Sequence, residues 1–190
     1  MPLTAAQQTD AYRFFAIAFG AAPGVTYMNQ IADAYAGGAS TKQIVNAFVS
    51  KDQFTSIYPT FLTNQDFATK LVTNVVGSYA TAAAQTQAVA DIAAALNGGQ
   101  SRGDVIYTIF NNLAAKSSTD PTWGAVSTLL ANQVATSKYY TETLLGNTTD
   151  VTALKSVVAK VTPTTDTSAS ALATLLKDVP LVAVTGPTIS

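Results

Sequence analysis

Histidine and cysteine are absent from this 190-residue sequence. With them go the commonest general base, the usual nucleophile activators, thiolate metal ligands and disulfides. Acid is scarce as well: of eleven acidic residues, Glu142 is the only glutamate. Carboxylate catalysis needs acids in pairs, whereas these aspartates lie mostly one per expected helix. Asp10, Asp52, Asp66, Asp104, Asp120 and Asp150 stand where helix caps belong. Asp33 and Asp91 occupy nearly equivalent places in two similar segments, a structural pattern. No enzyme activity, no metal site and no cofactor are expected in this segment, which lacks the dense acidic loop that calcium requires.

Charge of either sign is thin. Charged residues make up 11% of the chain, against about 25% in an ordinary soluble domain. Ten cations, two of them arginine and all scattered, form no basic stripe, so nucleic acid is not an expected partner. A net charge of −1 leaves little repulsion between copies. No apolar run approaches the roughly 18 residues of a membrane helix, so no membrane span is expected. "MPLTAAQQTDAYRFF" lacks a basic start, a long apolar stretch and a small-residue cleavage site, so any export is expected to proceed without an N-terminal signal peptide.

What is present is an apolar fraction of 48%, enough for a core, arranged with helical spacing. Tyr12, Phe15, Ala16 and Phe19 form one stripe that ends at Gly20. Met28, Ile31, Ala32 and Tyr35 form the next, ending at Gly37-Gly38, where glycine closes a helix at little steric cost. Ser40 and Gln43 have capping-box spacing and start a third helix through Ile44, Ala47 and Phe48 toward Phe54 and Tyr58. The order then recurs: Leu71, Val72, Val75 and Val76 before Gly77, Ile92 and Leu96 before Gly98-Gly99, then Ser101 and Asp104 before Val105, Ile106, Ile109 and Leu113.

The expected fold class is all-α, a multi-helix bundle built from an internal repeat of a three-helix unit plus C-terminal helices. A helical repeat domain spans 1–146, with copies at about 8–58 and 66–118 and a long helix over 120–145 that opens on Asp120 and Pro121. Further helices fill 147–180, and the β-branched tail 181–190 reads as the lead-in to a β-rich segment.

Two kinds of side chain stand out as binding candidates. Lys42 and Arg102 lie near the helix starts that follow the glycine pairs, where weak anion contact is conceivable beside the plainer stop-turn-restart reading. Tyr79, Trp123, Tyr139 and Tyr140 are the aromatics hardest to assign to a core, because adjacent tyrosines on a helix cannot both face the same core. An exposed ring beside Asn, Gln and Thr suits sugar binding. A tyrosine at the core boundary is the plainer alternative.

The segments "YRFFAIAFGAAPGVTYMNQIADAYAGGASTKQIVNAFVSKDQF" and "FATKLVTNVVGSYA…IAAALNGGQSRGDVIYTIFNNLA" resemble a repeated helical module of bacterial RTX-type surface proteins, itself similar to phycobilisome linker domains. "LLANQVATSKYYTETLLG" is similar to the helix that often follows it, so the resemblance covers roughly 8–146. Where the module usually has arginine and proline-aspartate after its first helix, this chain has Gly20-Ala21-Ala22-Pro23-Gly24. The resemblance implies the N-terminal domain of a proteobacterial S-layer or related protein, located at the cell surface and exported by a type I system. It implies non-covalent anchoring to lipopolysaccharide, with calcium bound further along the full-length protein. The alternative expectation is a self-assembly or spacer module that contacts neighbouring copies; a glycan hydrolase is a distant third.

Overall fold

The structure, a computed structural model, describes residues 2–182. It is all-α: among the described residues there are ten α-helices and no strand. In chain order these are α1 (Ala5–Phe19), α2 (Gly24–Ala36), α3 (Thr41–Phe48), α4 (Asp52–Thr55), α5 (Asn64–Val76), α6 (Ala82–Asn97), α7 (Arg102–Ala115), α8 (Gly124–Lys138), α9 (Val151–Val158) and α10 (Ala169–Leu175). A π-helical turn, Tyr139–Thr143, continues α8. No described helix is long and apolar enough to cross a membrane. The expected β-like tail lies, apart from Leu181 and Val182, outside the described residues.

Short-range chemistry sets most helix ends. Thr4 with Gln7 and Ser40 with Gln43 form complete capping boxes, while Thr63, Thr81 and Ser101 each accept a first-turn N–H. The glycine pairs stop helices in the same way twice. The first glycine keeps negative φ and the second turns left-handed, Gly38 at φ 89° and Gly99 at φ 99°. Ala39 N–H then reaches back to Ala34 O and Gln100 N–H to Ala95 O, 3.0 and 3.1 Å, closing each C-terminus.

Several expectations need correction. The third helix does not run on to Tyr58: α3 ends at Phe48, and α4 restarts at Asp52 after Lys51, which has no capping side chain. Helix α8 begins at Gly124, because Asp120 accepts N–H bonds from Thr122 and Trp123 in a preceding turn. Of the other aspartates expected as caps, only Asp150 is a helix N-cap. Asp66 and Asp104 sit three residues into helices capped by Thr63 and Ser101, Asp52 follows Lys51, and Asp10 lies inside α1, paired with Arg13.

Helix α1 is buried on more than one stripe. Tyr12 and every residue from Phe14 to Phe19 are buried, since α8, α7, α3 and α4 surround it. Its rings seed an aromatic cluster in which Phe14, Phe15 and Phe19 meet Phe48 at 5.6, 5.7 and 6.5 Å, mostly edge to face. Such pairs each add about 0.5–1.5 kcal/mol beyond area burial. The chain of rings continues through Phe54 and Tyr58 to Phe67 on α5.

Helices α3 and α7 cross closely, at a point where Gly103 leaves no room for a side chain against Asn46. The two segments expected as repeats therefore share their local punctuation but not their neighbours: α5 lies along α6, whereas α1 packs against α8 and α7.

Candidate functional site

The hairpin of α5 and α6 carries two surface concavities. It is tied at both ends: Asn64 donates to Asn97 across the open end at 2.8 Å, and Gln85 donates to Gly77 O and Ala80 O at the turn, both 3.0 Å. Phe67, Leu71, Val76, Ile92 and Leu96 are buried beneath it. A pair of helices fixed in this way presents what remains on its outer faces with little freedom to rearrange.

The first concavity is a furrow of about 510 Å³ along the seam of α5 and α6. Gln65, Thr69 and Thr73 follow one another at four-residue spacing on α5, facing Gln85, Thr86 and Val89 on α6. None of its lining residues is ionisable. Thr69, Thr73 and Thr86 each donate their hydroxyl proton to the backbone carbonyl four residues earlier, at 2.9 Å. Their oxygen lone pairs stay available as acceptors. Gln85 has its amide N–H groups on Gly77 and Ala80, which leaves its carbonyl oxygen as a further acceptor.

The second concavity, about 290 Å³, opens where α5, α6 and α7 meet the start of α8. Val75, Val76, Ile92, Ile109 and Leu113 form its apolar walls, Trp123 closes one side, and Asp91, Asn112 and Lys116 bring polar atoms to its rim.

The expected site residues do not converge. Trp123 lines the apolar groove. Tyr79 lies in the α5–α6 turn and Tyr139 in the π-turn, both half-buried against the core. Tyr140 is corrected outright as a sugar contact: it is fully buried, and its hydroxyl donates to Pro180 O at 2.6 Å. Successive residues of a helix point to different sides, so Tyr140 faces the core while Tyr139 stays at its boundary.

Arg102 is also inward, donating to Tyr58 O, Pro59 O and Leu62 O at 3.2, 3.1 and 3.0 Å, with its guanidinium 4.5 Å from the Phe67 ring centroid. Partial burial pulls its pKa below the ordinary arginine value. Lys42 lies 3.6 Å from Asp104. The Asp104 carboxyl is held below the usual range, first by the Asn46 amide and then by Ser101 and Lys42.

Glu142 accepts from the Tyr12 hydroxyl at 2.9 Å. Burial, together with that carboxylate, pushes the Tyr12 hydroxyl far above the ordinary tyrosine range. Among the described residues no three metal-ligating side chains gather.

Sequence reasoning missed both concavities. The spacing of Gln65, Thr69 and Thr73 is a readable polar stripe. The groove carried no such signal, because Val75, Ile92, Ile109 and Leu113 read as ordinary core. No known protein family, curated protein or solved structure matches the chain.

Proposed function

We propose that this chain is a non-catalytic anchoring module that holds a surface-layer or related protein to outer-membrane lipopolysaccharide, with the α5–α6 furrow as the polysaccharide subsite. The observation that carries this reading is the furrow's uncharged lining of outward acceptors. Polysaccharide hydroxyls supply the matching donors, and the methyl groups of Thr69, Thr73 and Val89 give their C–H faces something to pack on. The sparse charge of the whole chain fits the same setting, since a strongly acidic domain would be repelled by an anionic cell surface. The reading places the module outside the cell and gives it no cofactor of its own.

Titration calorimetry with purified lipopolysaccharide, with and without its O-polysaccharide, tests this. Binding should require the polysaccharide and change little between low and high salt. Replacing both Thr69 and Thr73 by valine should weaken it about tenfold, the loss of two net hydrogen bonds of about 0.7 kcal/mol each. Absence of binding, or binding that collapses in salt, would reject the furrow as the subsite.

A second reading, self-assembly with neighbouring copies, is favoured by a separate observation: Phe61 is 84% exposed in the loop between α4 and α5.

A further inference from the structure

We infer that Thr162–Val182 is a releasable strap, latched by the Tyr140 hydroxyl, that swings away as one unit from a hinge after Val161 while the helices from α1 to α9 stay folded.

The segment is fastened at its two ends and hardly at all between them. At the near end the Asn132 amide donates to Thr162 O and Pro163 O at 2.9 and 3.2 Å. At the far end the Tyr140 hydroxyl donates to Pro180 O and Asn147 N–H donates to Leu181 O, both at 2.6 Å. Across the sixteen residues from Thr164 to Val179, every hydrogen bond among the described residues stays inside the segment. Apolar anchorage is as sparse. From Thr162 to Val182 only Leu172 and Leu176 are buried, and α10, which carries the first and is closed by the second, lies closely along no other helix. Ordering a stretch of this length costs backbone entropy at every residue, and two leucines with four outward bonds have little to set against it. Such a segment belongs to the low-stability end of a fold.

Its seat is held far better. Gly146 O accepts Val25 N–H at 2.8 Å and Asn147 O accepts the Thr26 hydroxyl at 3.0 Å, so the stretch that receives the strap is tied to α2 along its other edge. Tyr140 is fully buried with its ring against Gly146. The latch therefore remains with the body when the strap leaves.

Release turns a docked helix into a tether. Sixteen extended residues can span about 50 Å, whereas α10 is only about 10 Å long. The Thr- and Pro-rich run from Thr162 to Thr167 supplies the bend. Pro180–Val182 gains this reach without unfolding the core.

Native-state hydrogen exchange of the 190-residue chain tests the inference at the bonded amides of Thr165, Leu172, Leu176 and Val179 within the strap and of Asn147 on its seat. In the wild type these five should exchange through one shared opening, at least about tenfold more populated than the openings that expose Phe15 and Val25. Tyr140→Phe removes the latch bond and keeps the ring, and Asn132→Ala removes the clasp at the other end. Each substitution should raise exchange at both ends of the strap together, by at least about twofold, because one opening breaks both fastenings. A terminus that merely frays behaves differently, since Asn132→Ala would then leave Val179 and Asn147 unchanged and Tyr140→Phe would leave Thr165 and Leu172 unchanged. Should one variant fail to fold, the other makes the same distinction. An effect confined to the altered end, or wild-type strap amides no faster than those of Phe15 and Val25, would overturn the releasable strap.

Discussion

Replacing Arg102 with methionine should destabilise the fold by about 2–3 kcal/mol and loosen the loop that carries Phe61. Methionine keeps an unbranched apolar stem but removes all three bonds to Tyr58 O, Pro59 O and Leu62 O, and it removes the cation over Phe67. Hydrogen bonds from a charged donor contribute about 1.5–3 kcal/mol each when taken singly. Three on one partly exposed guanidinium do not add, because water can reach some of the freed carbonyls, hence the lower total. For a chain of this length each kcal/mol moves Tm by about 2–4 °C, so a fall of about 4–12 °C is expected in a circular-dichroism melt. Arg102→Lys keeps a cation near the Phe67 ring but cannot span three carbonyls, so it should cost about half as much. Hydrogen exchange at Tyr58–Thr63 should accelerate more than at α1. A methionine variant within about 0.5 kcal/mol of wild type, with unchanged exchange in that loop, would refute the clamp.

Gly146→Ala should cost about 3 kcal/mol in urea unfolding, because a methyl group there overlaps the Tyr140 ring, which is locked by its bond to Pro180 O. Leu145→Asn should instead stabilise by about 0.5–1 kcal/mol, since Leu145 holds φ 56° while 64% exposed and asparagine tolerates that conformation better. Asp104 supplies a pH test. Its folded-state pKa is depressed, so its contribution is fully present above the unfolded aspartate value of about 3.9 and is lost as pH falls through the folded value. Melting temperatures should therefore drop more steeply below about pH 4 in the wild type than in Asp104→Asn.

Local punctuation was legible in the sequence because it depends on neighbours three to five residues away. Gly20, the pairs Gly37-Gly38 and Gly98-Gly99, and the Ser40–Gln43 box all act as their spacing suggested. What failed depended on distant partners. The break between α3 and α4 has no side-chain cap to announce it. The burial of α1 on several sides comes from α8, more than a hundred residues later in the chain. Arg102 looked like a free cation at a helix start because the carbonyls it grips, from Tyr58 to Leu62, lie forty or more positions upstream. Residues of the candidate site divide the same way. The Gln65, Thr69 and Thr73 stripe is visible as spacing on one helix, whereas the groove exists only where three helices fail to close over residues that any pattern assigns to a core.

The account turns on where a polysaccharide meets this surface, and hydrogen exchange with and without purified O-polysaccharide measures that directly. Slowed exchange confined to α5 from Gln65 to Thr73 and α6 from Gln85 to Ala90, with the π-turn and the Lys42 region unchanged, is the predicted result. Unaltered exchange throughout, or protection centred on Tyr139 and Lys42 with none along the furrow, would contradict it.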